Sequence, residues 1–389
     1  MNTHQPLTDH LLYGDIVRGF PRFCLERWQS MHETSARILL SESGLEPLSI
    51  RQLEELGVDI GDLNQLPLGY GWTRGSPELR EAIISLYNAD LDIDNVVVAN
   101  GGAEANYAGI MSTVSKGEKI LLDVPTYMQV PGLLKWIGTN IIELWREPPD
   151  WKFPLDKAIH IIEEEKPKLA FITDPNNPTG KYMRRKELEE LIETAEKNNV
   201  KLFFDEVYWG SEQNDRRPSA IELGDKETVT VVHGLSKVYG LPGLRIGWII
   251  TNKKHAGRAW SVKDYTTIAP SIISDHVTRK LLSNENAVEV LRKRAKQIVQ
   301  ENVETVKTAI KRLETVIPYW PEAGAFQLLG FKNVDTLDLS TKLYHKYGIL
   351  VNPGECFKLP GYLRIGLGSD PGRFKEEIKE LVEAVSTFL

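Results

Sequence analysis

The sequence predicts an α/β fold: a large domain on a mostly parallel, mixed sheet covered by helices on both faces, followed by a smaller α+β domain. Three observations carry that prediction. Short apolar runs bounded by turn residues recur between residues 95 and 251, separated in several places by amphipathic helical segments. Beyond about residue 275 the alternation gives way to a long charged helical pattern. At 389 residues the chain also exceeds the size at which one core usually stops growing, so two domains are expected.

Taken in order, the first 45 residues show no strand alternation and are expected to pack as an arm or helix against the smaller domain or a partner subunit. "SPELREAIISLYN" (76–88) reads as a helix with Ser76 as N-cap and Pro77 at its first position. Buried strands follow at "NVVVAN" (95–100), "EKILLDV" (118–124), "TNIIELW" (139–145), "KLAFITD" (168–174), "VKLFFDE" (200–206), "TVTVVHG" (228–234) and "RIGWIIT" (245–251). A helix is expected over "RRKELEELIETAEKNN" (184–199), another over roughly 284–314, and a last one at "GRFKEEIKELVEAVSTFL". The boundaries read from these changes are 1–45 for the arm or part of the small domain, 46–275 for the large domain and 276–389 for the small one.

Composition excludes several functions. With 41% hydrophobic and 26% charged residues the chain is ordinary for a globular protein, and a net charge of −7 disfavours nucleic acid or anionic membrane as a partner. Cys24 and Cys356 are far apart and in no C-x-x-C spacing, which suggests neither a disulfide framework nor a metal site and makes reduced cytoplasm the simplest setting. Asp9, Asp15 and Arg18 interrupt the N-terminal apolar residues, and no stretch approaches the ~20 apolar residues of a membrane span, so neither export nor membrane insertion is expected.

In a doubly wound sheet, ligands bind at the carboxyl ends of the strands. There the chain places "GGAEAN" (101–106), whose glycines lead into a helix and present backbone N–H groups to an anion, or simply make a strand-to-helix turn. "DPNNPTG" (174–180) is a rigid turn that also offers Asn176 and Asn177 as hydrogen-bonding groups. "FFDEVYWG" (203–210) brings Asp205 out of an apolar strand beside Tyr208; a carboxylate there needs a cation or donors, or else caps a helix. Finally "HGLSKVYGLPGLRIGW" (233–248) sets Lys237 among apolar residues, with Arg245 eight positions on.

Each motif alone is weak, but the ordered set resembles the class I/II aminotransferases, fold-type I enzymes that depend on pyridoxal 5′-phosphate (PLP). The resemblance covers nearly the whole chain. It implies that Lys237 forms the aldimine with PLP and shuttles the proton, that Asp205 pairs with the ring nitrogen, and that Tyr208 and Asn177 hydrogen-bond the cofactor oxygen. Arg245 would clamp the phosphate with Gly102, Ala103 and Ser236. Tyr127 occupies the position of a ring stacked on the pyridine, its alternative being an aromatic plug in the core. Tyr70 would reach the phosphate of a neighbouring subunit, which implies a homodimer with shared active sites. Arg364, in "GYLRIGLG", would bind the substrate α-carboxylate, and Gly44 would line the substrate pocket beside Asn177. No metal is implied. The chain departs from the family at Gly234, where many relatives carry a serine or threonine that touches the phosphate.

The implied reaction is transfer of an α-amino group from an amino acid to a 2-oxo acid. The same residues would serve elimination, cyclisation or oxidation of the bound amino acid, and "FCLERWQSMHETSARILLSESG" (23–44) bears a weaker likeness to capreomycidine synthase-like, arginine-modifying enzymes. Glu26 and Glu33 could meet a basic side chain, although a solvated or salt-bridged helix face is the simpler expectation. A regulator lacking turnover is disfavoured by the absence of a basic helix-turn-helix segment, and a nucleotide binder by the absence of G-x-x-x-x-G-K-[ST] or G-x-G-x-x-G.

Overall fold

A computed structural model of the protein describes residues 12, 14–17, 19–214 and 216–389. All seven expected strands form one sheet, in the order Val96–Ala99, Gly247–Ile250, Val229–Gly234, Lys201–Asp205, Leu169–Thr173, Lys119–Val124, Asn140–Trp145. Only Gly247–Ile250 runs antiparallel to its neighbours. The other six strands therefore end at the same edge, where Ala99, Val124, Thr173, Asp205 and Gly234 stand.

The strands are continuous apolar runs because both faces are covered. Val96 and Val98 join the larger core cluster, whereas Val97 and Ala99 join a second cluster on the opposite face; Phe204 and Phe203 divide the same way. Helix Pro77–Ile84 starts as expected, with Ser76 Oγ accepting the Leu79 N–H at 3.2 Å. Helix Arg185–Asn198 also lies within its expected span.

A second, antiparallel sheet of four strands has the order Val316–Tyr319, Phe326–Phe331, Tyr362–Gly366, Asn352–Pro353. The long helix ends at Ala309, earlier than its charge pattern suggests, because a 3₁₀ turn over 310–312 tightens its last residues before the next strand. It packs against the terminal helix Pro371–Ser386.

Residues 1–11 of the expected arm lie outside the described residues. The described remainder is joined to the C-terminal part of the chain: Ile38–Leu39 pairs in parallel with Ile349–Leu350, and Trp28 Nε1 donates to Val351 O at 2.8 Å. One sequence expectation is overturned here. Cys24 and Cys356, 332 positions apart, are disulfide-bonded with their Cα atoms 5.1 Å apart. The bond joins helix Cys24–His32 to the turn before Tyr362–Gly366, a proximity that only the folded chain creates. The reduced setting inferred from the cysteines loses its basis. No helix among the described residues is long and apolar enough to cross a membrane.

His233, on strand Val229–Gly234 inside the sheet, is fully buried, with Nδ1 against Glu206 O at 2.7 Å. Burial lowers its pKa to about 3, so the unfolded chain takes up a proton near pH 6.5 that the folded chain refuses until much lower pH. Between those values the folded state loses about 1.4 kcal/mol per pH unit through this group. His233→Gln is expected to lose less stability than the parent protein between pH 6.5 and 4.5, as read from urea midpoints at the two pH values.

Candidate active site

The strand ends surround a cavity of about 470 Å³. Lys237, Asp205, Tyr208, Asn177, Arg245 and Arg364 all line it, although they come from segments spread over 188 positions. Gly102, Ala103, Tyr127 and Ser236, also predicted, line the same space, whereas Tyr70 and Gly44 do not.

Asp205 ends its strand and is buried. Asn106 Nδ2 donates to Oδ2 at 2.8 Å and the Val207 N–H to Oδ1 at 3.2 Å, with no cation in contact among the described residues. Burial, only partly offset by these donors and by the charge of Lys237, pushes the carboxyl up to about 6. Such a group favours a cationic N–H from a ligand.

Lys237 sits in the turn after Val229–Gly234, and its Nζ donates to Ser43 Oγ at 3.0 Å. Tyr208 is buried and donates to the same oxygen at 3.0 Å, with its ring edge-on to Phe326. Gly44 packs against this pair: a Cβ there would lie 2.9 Å from Ser236 O and 3.5 Å from Lys237 Cδ. Gly44 is thus close to the amine, while its neighbour Ser43 faces the cavity.

An anion cradle lies at the Gly101–Gly102 turn. Gly101 has φ +85°, and a Cβ on it would meet Arg245 Nη2 at 2.5 Å, so only glycine lets the guanidinium sit against this turn. Helix Gly102–Thr113 begins there without a side-chain cap, leaving its first N–H groups for a ligand. Arg245 is held by Pro242 O at 3.2 Å and approaches Ser236 Oγ at 3.5 Å.

Gly234 acquires a physical reason. It faces Gly247 across the strand pair, and a Cβ at 234 would lie 2.9 Å from Ile246 O, while one at 247 would lie 2.5 Å from Gly101 C. The two glycines let the strands and the Gly101 turn close up, leaving no room for a serine or threonine at 234.

At the other end, Arg364 is buried, with Nη1 donating to Asn177 Oδ1 at 2.8 Å and Nη2 to Ser41 O at 2.7 Å. Its Nε is buried without a partner. Burial lowers its pKa, against the pull of Tyr208, Glu42 and Glu26. Tyr127 donates its hydroxyl to Glu26 Oε1 at 2.7 Å, and burial, reinforced by Glu26, raises its phenol well above its usual range. It is a cavity wall as well as a packed ring, since it lies edge-on to Phe23.

Tyr70 is the predicted residue that stays apart. It is 92% exposed and does not line this chain's cavity. Sequence reasoning also missed Ser43 and Asn106, the partners of Lys237 and Asp205; Asn106 belongs to the quoted "GGAEAN", where a polar residue one helical turn beyond the glycines was the available signal. Beneath the cavity, Arg146 makes a bidentate pair with buried Asp123 at 2.9 and 3.0 Å, and Arg217 bridges Asp174 and Glu206 at 3.1 and 3.0 Å. Asn176 Nδ2, bonded to Pro125 O at 3.0 Å, ties the 174–180 turn to that base.

These residues fit PLP: a buried carboxylate short of a cation, an amine on the same cavity, and a guanidinium beside an uncapped helix start. Comparison with known proteins points the same way. The family model "Aminotransferase class I and II" matches residues 55–385. An aspartate aminotransferase of Thermotoga maritima is 27% identical, covering 81% of this chain and 82% of its own. A capreomycidine synthase of Streptomyces vinaceus is 23% identical over 96% of each chain. The crystal structure of a PLP-dependent aminotransferase from Streptococcus suis superposes with a TM-score of 0.88 at 28% identity, covering 96% of this chain and 99% of that one.

Proposed function

Because the chain belongs to the class I and II aminotransferases, and so is a PLP-dependent enzyme, we propose that the cavity around Lys237 is its active site and that the roles divide as follows. PLP, when bound, supplies a carbonyl that condenses with amines and an electron-poor ring that accepts the electron pair left when a bond to Cα breaks. Asp205, ionised, holds the ring N–H, and Asn106 keeps the carboxylate oriented toward it. Arg245 and the Gly102 and Ala103 N–H groups hold the phosphate. Tyr208 and Asn177 support the ring oxygen. Lys237 Nζ would be the amine that holds the cofactor's carbonyl carbon, and as a free amine it would carry the proton from Cα. Arg364 fixes the substrate α-carboxylate, which its unpartnered Nε supports. That grip would orient the substrate so that its Cα–H bond is presented to Lys237.

The observation that carries this reading is the convergence of Lys237, Asp205 and Arg364 on one cavity. The test is amino transfer by the PLP-loaded protein from a panel of amino acids to 2-oxoglutarate, pyruvate and oxaloacetate, followed as new amino acid. Transfer with at least one pair is expected; consumption of amino acid without amination of any oxo acid would favour the elimination, cyclisation or oxidation reading instead. The likeness to capreomycidine synthase, which extends over the N-terminal segment, makes that comparison worthwhile. The reading includes a homodimer in which Tyr70, exposed in one chain, serves the neighbour's phosphate, supported by the bare Leu68, Tyr70 and Trp72 around it. Of the sequence support for a cytoplasmic setting, the part drawn from the cysteines is removed by the Cys24–Cys356 bond.

Arg364→Lys keeps the charge but loses the planar fork. Steady-state kinetics should show KM for the amino acid rising and kcat/KM falling about a hundredfold, in line with the 2–5 kcal/mol typical of a broken buried charge pair. An unchanged KM would remove Arg364 from the substrate.

A further inference from the structure

The cavity contains more negative charge than the proposed chemistry uses. Its lysine and arginine side chains are Lys237, Arg245 and Arg364, and its carboxylates are Asp205, Glu26, Glu33 and Glu42. With PLP and an amino acid bound, the phosphate answers Arg245, the ring N–H answers Asp205 and the α-carboxylate answers Arg364. Glu26, Glu33 and Glu42 are left. Among the described residues none of the three makes an ion pair; the one hydrogen bond to their carboxylates is that from Tyr127 to Glu26.

The three come from helix Cys24–His32, from the residue that follows it and from the segment before Ser43. They act on one another: Glu33 is raised above its ordinary range by partial burial, then by Glu42 and Glu26. They lie on the same cavity as Arg364, whose buried, unpartnered Nε independently marks where a carboxylate ligand would bind. Arg364, the cation that feels the charge of Glu42 and Glu26, would be taken up by the α-carboxylate of a bound amino acid, which leaves the three carboxylates free to meet a cationic side chain.

Resting on the active-site reading above, we infer that the substrate is an α-amino acid whose side chain ends in a cation, a guanidinium or an ammonium, received by Glu33 and Glu42 with Glu26 beside them. A side-chain carboxylate, as in aspartate, would face three like charges. A neutral chain would leave them uncompensated. Glu26 and Glu33 keep the solvated face expected of them, and neither is salt-bridged among the described residues, yet both also line the cavity.

The test is a titration of the PLP-loaded protein with arginine, lysine, norleucine and aspartate, followed by the visible absorbance of the bound cofactor. Borohydride fixation of PLP on Lys237 is checked first, so that failure of the active-site reading is seen separately. Arginine or lysine should bind at least tenfold more tightly than norleucine, which has a similar length and no charge, and aspartate should bind most weakly. In the Glu33→Gln, Glu42→Gln double variant that margin over norleucine should fall at least tenfold. Equal binding of norleucine and the cationic amino acids, tightest binding of aspartate, or a double variant that weakens all four alike would overturn the inference. If the double variant does not fold, the ranking in the parent protein decides.

Discussion

Lys237→Ala should lower amino transfer about a thousandfold or more while leaving the fold intact, because the variant removes the only amine that lines the cavity. The side chain is half-buried and its one hydrogen bond among the described residues, to Ser43 Oγ, is replaceable by water, so little stability depends on it. Two measurements separate the chemical role from a structural one. Borohydride treatment and peptide mapping should find PLP on Lys237 in the parent protein and nowhere in the variant, and the thermal midpoint should move by no more than a few degrees. Parent-like turnover in the variant would end the proposed mechanism.

Asp205→Asn is the second large effect, expected to cost about a hundredfold or more in kcat with the cofactor still bound. The amide is nearly isosteric and keeps the Val207 N–H as a donor to its oxygen, but it carries no charge with which to hold a ring nitrogen in its protonated form. The pH dependence has a definite sign. In the free protein the carboxyl is held up to about 6 by burial, so the anion needed to pair with the ring N–H is lost as pH falls through that value. PLP affinity of the cofactor-free protein should therefore weaken from pH 7 to pH 5, and the Asn variant should lack that component. Measuring affinity at the two pH values in both proteins checks it; parallel curves would assign the pH effect to another group.

The fold was legible where burial acts on contiguous residues. Six strands of the large sheet are runs of four to six residues buried almost throughout, so each reads as apolar between turn residues whatever its neighbours are, and only the edge strand Asn140–Trp145 is partly bare. Asp205, Asn177, Lys237 and Arg245 were legible because each stands at the end of such a run, where a charged or amide side chain has no packing reason to be. Ser43 and Asn106 were not: one is a small polar residue in an irregular segment and the other looks like any polar position on a helix. Their roles come from partners 194 and 99 positions away. The Cys24–Cys356 bond and the place of Glu42 beside Glu26 and Glu33 on the cavity were hidden for the same reason, since the N-terminal helix acquires its inward face only by packing on the rest of the chain.

The Gly234–Gly247 pair has a consequence for how this protein could change. A hydroxyl at 234 would need space now occupied by the Ile246 carbonyl, which is main chain and cannot swing aside as a side chain would. The turn bearing Gly101 is pressed against Gly247, and Arg245 against Gly101, so the whole phosphate corner would have to move together. A serine at 234 is therefore closed to this chain as a single substitution: any variant carrying a hydroxyl there must also rebuild the backbone around it.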